Sequence, residues 1–336
     1  MRHHELGTMI GGLFMVGLPF PFLDDSTLRL IGDLGIHHFI LFKRNVETPS
    51  QLHDLCLSLR AACAARGLPR PLIAIDQEGG SVTRLGPPFT QFPDARLLAE
   101  STAPEEALAR YARICAKELL EMGLNLNFAP VLDICPRGQG FFMERRALGE
   151  EPFRVAALGA LVIATMQQHG LAACAKHFPG LGRAVLDPHH QLPVVEEAAA
   201  DLRARDLVPF QRAVAANVAA VMTSHTIYTR LDPDHPATLS PTILTGLLRR
   251  ELAYDGLIVT DDLEMGAIEN RGAVETACPQ ALRAGADLLL ICHDHDKVRR
   301  AVAGVTEALN RGEVEPENLR TSLARLSRAG AAYGVA

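Results

Sequence analysis

A cationic pair and an acid–imidazole pair lie close together within residues 176–189. Lys176 and His177 open this segment, and Asp187 stands two residues before His189. The cations could hold a polar substrate, while a carboxylate beside an imidazole fixes its tautomer and favours its protonated form. The segment therefore predicts a loop that binds a ligand and transfers protons, with His189 as the candidate general acid/base and Asp187 as its partner.

Two adjacent carboxylates, Asp261 and Asp262, follow the apolar residues 257–260. A carboxylate fixed at the end of a buried strand could attack an electrophilic carbon and form a covalent intermediate. The structural alternative is that the residue caps the helix that follows, because Asp is a preferred N-cap residue. These residues alone leave both interpretations open.

A further carboxylate, Asp76, ends another apolar run and enters the turn at Gly79 and Gly80. It could accept hydrogen bonds from two neighbouring hydroxyl groups of a ligand. Arg84 could either hold this carboxylate or reach the ligand itself. A salt bridge without any ligand is the structural alternative.

Short apolar runs alternate with longer amphipathic segments along the whole chain. The runs are residues 13–18, 38–42, 72–75, 124–128, 172–175, 219–222, 257–260 and 288–291. Helix-like segments include residues 48–66, 105–122, 155–169, 200–215, 241–252, 274–284 and 313–329. This alternation is typical of βα units around a parallel sheet. Eight units predict an α/β fold, a single (β/α)8 barrel domain of the TIM type over residues 1–336.

Polar side chains follow most of the apolar runs. They are Asp76, Asp133, Lys176, His177, Ser224, His225, Asp261, Asp262 and His293. Active sites of α/β barrels are built at the C-terminal ends of the strands. The pattern therefore indicates an enzyme rather than a scaffold.

Length and composition exclude several classes of protein. The chain has 336 residues, 48% of them hydrophobic and 21% charged, which is typical of a globular protein with a large core. A net charge of −6 without a run of Lys or Arg gives no reason to expect nucleic acid or an anionic membrane as partner. No run reaches the roughly 18 apolar residues of a membrane helix. We expect a small-molecule partner and make no prediction about protein partners.

Cysteines and histidines could also indicate metals. The seven cysteines are scattered without Cys-x-x-Cys spacing, which argues against a disulfide framework and against a zinc site. A reducing cytoplasm is the expected compartment. The alternating residues 293–296 (His-Asp-His-Asp) could ligate a metal, but such a stretch at a strand end more often forms a loop or a helix cap. We predict neither metal nor cofactor.

The segment 176–189 resembles the signature loop of family 3 glycoside hydrolases of the β-N-acetylglucosaminidase type. Matching stretches also occur at residues 15–17, 40–45, 76–84, 127–133, 146–152 and 223–225, so the resemblance covers almost the whole chain. It implies hydrolysis of a terminal, non-reducing, β-linked N-acetylglucosamine through a covalent glycosyl-enzyme intermediate. The implied substrate is a carbohydrate, either a muropeptide or a chitin fragment, and the implied setting is cytoplasmic cell-wall recycling.

The resemblance also implies a role for individual residues. Asp261 would be the nucleophile, because that residue directly follows a Ser or Thr at the strand end in the family, and Asp262 would be the cap. Asp187 and His189 would form the acid/base dyad. The implied substrate contacts are Asp76, Arg84, Arg146, Lys176 and His177.

The chain departs from the family pattern within the dyad loop. Pro188 stands between Asp187 and His189 where Ser or Thr is usual, and proline removes an N–H and restricts the backbone. Further departures are Leu181, Arg183 and Ala184, at places where His, Asp and Thr are common. All these departures bear on rate and leaving-group preference more than on the class of reaction.

Three other functions are compatible with parts of the pattern. A glycoside phosphorylase could use the same scaffold, since a histidine repels phosphate less than a carboxylate does. A barrel metallohydrolase could use His, Asp and Lys at strand ends, but the first strand lacks a His-x-His pair. A non-catalytic sugar-binding protein would not need both Asp261 and His189.

Overall fold

A closed barrel of eight parallel strands forms the centre of the computed structural model, which describes residues 9–184 and 192–333. The strands are β1 (Phe14–Gly17), β2 (His38–Leu41), β3 (Ile73–Ile75), β4 (Leu126–Asn127), β5 (Ala172–Phe178), β7 (Ala220–Thr223), β9 (Leu257–Asp262) and β10 (Leu288–Ile291). They pair in this order around the barrel, and β10 closes it by pairing with β1 through Phe14 and Leu289. Each strand overlaps one of the predicted apolar runs, so the predicted barrel is confirmed.

Two short strands outside the barrel were not predicted. They are β6 (Val194–Val195) and β8 (Ile227–Tyr228), which pair in parallel. Each has two residues, which is too short to produce a recognisable alternation in the sequence. This ladder joins the segment that begins at residue 192 to the loop that follows β7.

Helices surround the barrel and connect its strands. They are α1 (Asp25–Leu34), α2 (Pro49–Ala64), α3 (Ala95–Ala99), α4 (Pro104–Glu121), α5 (Pro152–Gln168), α6 (Ala199–Ala204), α7 (Leu207–Ala215), α8 (Gly266–Glu269), α9 (Val274–Ala284), α10 (His295–Asn310) and α11 (Pro316–Ala332), with a π-helix at Thr242–Glu251. Several begin where the sequence supplies a capping residue. Thr48 caps α2 and Glu151 caps α5, each directly before a proline at the first helical position. Asp294 caps α10, so residues 293–296 include the helix cap expected there.

The prediction of one helix over residues 200–215 is wrong in one respect. The structure has two helices there, α6 and α7, with a break between them. Pro209 has no N–H and could not donate to the carbonyl of Arg205 in a continuous helix. By restarting at Leu207, the chain places Pro209 in the first turn of α7, where that donor is not needed. The break also leaves Asp206 buried, with its Oδ2 3.6 Å from Nη2 of Arg183 in the segment after β5.

The main core fills the barrel and the space between the barrel and its helices. All residues of β1, β2 and β3 are buried, as expected for parallel strands covered on both faces. A second apolar cluster, which includes Val131, Met143 and Leu181, packs the loop after β4 against the loop after β5. These two loops carry much of the candidate site, and their mutual packing fixes its walls.

The described part of the chain gives two further observations. None of its helices is both long enough and apolar enough to cross a membrane. Within residues 9–184 and 192–333, no group of three or more His, Cys, Asp or Glu side chains is placed to hold a metal ion. All seven cysteines lie in these ranges and are buried as thiols.

Candidate active site

A cavity of about 450 Å³ opens at the C-terminal ends of the barrel strands. Its wall contains every described residue of the predicted site, which are Asp76, Arg84, Arg146, Lys176, His177 and Asp261. Phe42, Phe128, Phe142 and Met222 add apolar surface between these polar groups. A concave site with a few convergent polar groups is the usual form of a small-molecule site.

Asp76 follows β3 and lies between two cations. Its Oδ1 is 2.8 Å from Lys176 Nζ, and its Oδ2 is 3.3 Å from Arg84 Nη2. The salt bridge that was the structural alternative for Asp76 is therefore present. Because all three side chains also line the cavity, the pairing fixes a polar cluster that remains in reach of a ligand.

Glu78 anchors two of the cations from behind. Its Oε1 is 2.6 Å from Lys176 Nζ, and Arg146 donates to both carboxylate oxygens at 2.8 and 2.9 Å. Burial would raise the pKa of Glu78, but Arg146 and Lys176 outweigh it and hold the pKa well below its usual range. All three groups are therefore charged at neutral pH, and Glu78 holds both cations in place.

Lys176 and Arg146 keep their charges despite deep burial. Burial would lower the pKa of Lys176, but the carboxylates of Asp76 and Glu78 raise it above the usual value. Burial also opposes the charge of Arg146, and Glu78 again outweighs it, so that the pKa of Arg146 is raised. Fixed positive charges in a site of low water content bind hydroxyl and carbonyl oxygens well.

His177 is oriented by a buried carboxylate. Its Nδ1 lies 2.7 Å from Asp133 Oδ2, and the backbone N–H of Leu181 donates to Asp133 Oδ1 at 2.6 Å. Because Asp133 occupies Nδ1, Nε2 is the ring nitrogen left for a ligand in the cavity. Asp133 also fixes the start of the loop after β5 through Leu181.

Asp261 lies near the end of β9, directly after the buried Thr260. Burial raises the pKa of Asp261, but electrostatic interactions with His225 and His177 outweigh it and leave the pKa below its usual value. The backbone N–H of Asp262 also donates to Asp261 Oδ1 at 2.8 Å. Asp261 is thus an ionised carboxylate facing the cavity, as a nucleophile requires.

Asp262 differs from its neighbour in both contacts and charge. Its Oδ1 accepts the N–H of Glu264 at 3.1 Å, which closes a turn before α8, while Met265 is the residue at the helix start. The interpretation of Asp262 as a helix cap is therefore corrected to a turn residue. Burial and the nearby carboxylate of Glu264 raise the pKa of Asp262 to about 7.

Asp187, Pro188 and His189 lie outside the described residues. On the N-terminal side of this gap, Arg183 Nη1 lies 3.3 Å from Glu197 Oε1, which stands on the C-terminal side. The acid/base dyad therefore stays a prediction from the sequence.

A larger cavity of about 860 Å³ lies at the other end of the barrel, where β2 begins. Its described lining is mostly apolar and contains His37, His38 and Arg70, but no Asp or Glu. Only the smaller of these two cavities has both carboxylates and cations in its described lining. The types of lining residue, rather than the volume, therefore identify the smaller cavity as the candidate active site.

Comparison with known proteins identifies the family. Residues 8–329 match the model of the glycosyl hydrolase family 3 N-terminal domain. The chain belongs to this family of glycoside hydrolases. It is 38% identical over 305 residues to a β-hexosaminidase of Pseudomonas aeruginosa (strain LESB58), covering 91% of this chain and 88% of that protein.

Two solved structures are similar to this chain in both fold and sequence. A β-N-acetylglucosaminidase from Paenibacillus sp. str. FPU-7 superposes with a TM-score of 0.95 and 37% identity over 98% of this chain, which spans 63% of that protein. NagZ from Neisseria gonorrhoeae, in complex with N-trifluoroacetyl-D-glucosamine, has a TM-score of 0.77 and 27% identity over 95% of this chain and 98% of that one.

Two anchoring residues of this family 3 site were not predicted as site residues. Glu78 stands two residues after Asp76 within the stretch that resembles the family motif, so its position was a usable signal. Asp133 follows a predicted strand, but nothing in the sequence indicates its pairing with His177. Both act behind the cavity wall and hold the residues that face the cavity.

We expect Glu78→Gln to destabilise the protein strongly, because it leaves Lys176 and Arg146 without their shared counter-charge. Removing one partner of a buried ion pair costs about 3–5 kcal/mol. Chemical denaturation measures the free energy of unfolding. The control is Glu251→Gln, whose partner Arg203 is as exposed as Glu251 itself, and such a pair contributes at most about 1 kcal/mol. Equal losses in both variants would contradict the anchoring role of Glu78.

Proposed function

We propose that this family 3 protein is a retaining β-N-acetylhexosaminidase that removes a terminal, non-reducing, β-linked N-acetylglucosamine. The observation that carries the proposal is the single cavity that unites the ionised Asp261 with Asp76, Arg84, Arg146, Lys176 and His177. The names of the family relatives support the choice of an N-acetylhexosamine as the sugar that is released. The ligand in the structure of NagZ supports binding of an N-acylglucosamine in such a cavity.

In the first step the terminal sugar lies in the cavity with its hydroxyl groups near the charged cluster. Asp76 accepts hydrogen bonds from hydroxyl groups, while Lys176, Arg84 and Arg146 donate to sugar oxygens. His177 donates or accepts through Nε2. Holding the sugar in this way aligns its anomeric carbon with Asp261, which lowers the entropic cost of the reaction.

The chemical steps follow a double displacement. Asp261 attacks the anomeric carbon and forms a glycosyl ester, while the bond to the leaving oxygen breaks. His189 donates a proton to that oxygen, and Asp187 stabilises the imidazolium before the transfer. In the second step His189 accepts a proton from water, and the water oxygen attacks the anomeric carbon. The ester bond to Asp261 breaks, which frees its carboxylate and releases the sugar with its original configuration.

Each of these roles is filled by a side chain, so the proposal requires no metal or cofactor. We further propose a cytoplasmic location, because seven buried thiols without disulfides suit a reducing compartment. A single barrel domain over residues 1–336 is part of the same proposal. The aglycone could be either a muropeptide or a chitin fragment.

A panel of 4-nitrophenyl β-glycosides tests this function. We expect turnover of the N-acetylglucosaminide well above that of the glucoside, unchanged after EDTA treatment, with free N-acetylglucosamine as product in phosphate buffer. Formation of a sugar phosphate that depends on added phosphate would instead indicate a phosphorylase. Loss of activity with EDTA and its recovery with zinc would indicate a metallohydrolase.

A further inference from the structure

Two exposed phenylalanines stand in the loop that follows β1, at the end of the barrel where the catalytic cavity opens. The side chains of Phe20 and Phe22 are 46% and 59% exposed. Their rings stack with centroids 5.3 Å apart and planes only 6° from parallel. Large apolar side chains that share an exposed patch often mark a binding surface.

The backbone of this loop is held in place by polar side chains. Asn45 Nδ2 donates to the carbonyl oxygens of Leu18 at 3.0 Å and Phe20 at 2.8 Å, and Gln51 Nε2 donates to that of Pro21. These bonds hold the backbone in place at Leu18, Phe20 and Pro21.

Arg44 connects the same loop to the wall of the catalytic cavity. Its Nε donates to the carbonyl of Leu18 at 2.8 Å, and its Nη2 donates to that of Cys292 at 2.5 Å. Its guanidinium lies 4.5 Å from the centre of the Phe42 ring, and its Nη1 is 3.3 Å from His293 Nδ1. Cys292, Phe42 and His293 all line the cavity.

The backbone of this loop therefore starts close to the wall of the cavity. Phe20 is two residues from Leu18, so its Cα lies within about 7 Å of that of Leu18 even if the chain is fully extended. Gly17, at the end of β1, allows this arrangement. A Cβ there would lie 2.9 Å from Arg44 Nη2 and 1.9 Å from the carbonyl oxygen of Cys292, so a larger residue would displace both.

We propose that Phe20 and Phe22 form a subsite for further β-linked N-acetylhexosamine units of the substrate, beyond the bond that is cleaved. This inference rests on the proposed function. An enzyme that removes a terminal sugar holds that sugar in its cavity, and the remainder of the substrate must leave through the open rim. One face of a pyranose presents C–H groups, which fit the negatively polarised face of an aromatic ring.

The subsite predicts a specific dependence on substrate length. We expect the double variant Phe20→Ala/Phe22→Ala to have a lower kcat/KM on N-acetylchitotriose and N-acetylchitotetraose. Each ring removed should lower kcat/KM by roughly 3- to 10-fold, which corresponds to the free energy of one aromatic stacking contact. Turnover of the 4-nitrophenyl N-acetyl-β-glucosaminide should change less than twofold, because its aglycone contains no further N-acetylhexosamine unit. Phe20→Trp should retain the wild-type preference for longer substrates.

The control is Leu57→Ala, which removes a 50% exposed apolar side chain from α2. It should change neither activity. Equal loss on the aryl glycoside and on the oligosaccharides, or no loss on either, would overturn the subsite. The subsite would also be refuted by a second result. In size-exclusion chromatography the wild type would be a dimer and the double variant a monomer, while the double variant would keep the preference for longer substrates. A wild type that hydrolyses no N-acetylglucosaminide would refute the proposed function itself, which separates the two failures.

Discussion

Replacing Asp261 with asparagine is expected to abolish measurable turnover of an aryl N-acetyl-β-glucosaminide. Asparagine is similar in size but carries no charge, so no glycosyl ester can form. Removal of a catalytic nucleophile lowers kcat by about 10⁴-fold or more in well-studied hydrolases. Steady-state kinetics at neutral pH measure the effect, and circular dichroism checks that the fold is retained.

The matched control for this variant is Asp262→Asn at the next position. Asp262 closes a turn through the N–H of Glu264, and asparagine keeps an oxygen that can accept this bond. We expect most of the activity to remain. If Asp262→Asn were inactive and Asp261→Asn remained active, the assignment of the nucleophile would be reversed.

The second large effect is expected for His189→Ala, and its size should depend on the leaving group. A sugar leaving group needs a proton, whereas a nitrophenolate leaves almost unassisted. The variant should therefore lose roughly 10²- to 10⁴-fold in kcat/KM on a disaccharide, the usual contribution of general acid/base catalysis. The loss in the glycosylation step with a 4-nitrophenyl glycoside should be much smaller.

A leaving-group series of aryl glycosides measures this difference, with kcat/KM reporting glycosylation apart from slow deglycosylation. Asp187→Asn should give the same trend more weakly, because it removes only the group that orients and charges the imidazole. A constant loss across the series would mean that His189 positions the sugar, and the proton donor would have to be another residue.

The barrel could be predicted from the sequence because its strands are buried on both faces. Such strands consist of short apolar runs, and all eight runs recur in the structure as barrel strands. The boundary between α6 and α7 could not be read from hydrophobic periodicity, which continues through residues 200–215. Pro209 was the available signal, since a proline in a helical pattern marks a break or a first turn.

The residues that face the cavity were easier to predict than the buried carboxylates that form ion pairs and hydrogen bonds with them. Lys176 and Asp76 stand at strand ends, where barrel enzymes place their chemistry. Glu78 and Asp133 act through pairs with residues that are distant in the sequence, and a single sequence does not contain those distances. The loop at Phe20 and Phe22 could not be assigned from sequence for a similar reason, because Arg44 connects it to the cavity only in the folded chain.

Identification of the residue that becomes glycosylated tests the central claim most directly. A 5-fluoro glycosyl fluoride of N-acetylglucosamine slows the release of the covalent intermediate, so that the labelled peptide can be sequenced by mass spectrometry. We predict that the sugar is found on Asp261, and that Asp261→Asn is not labelled. Label on Asp262 or on another residue, or complete turnover with inversion at the anomeric carbon, would contradict the retaining mechanism through Asp261.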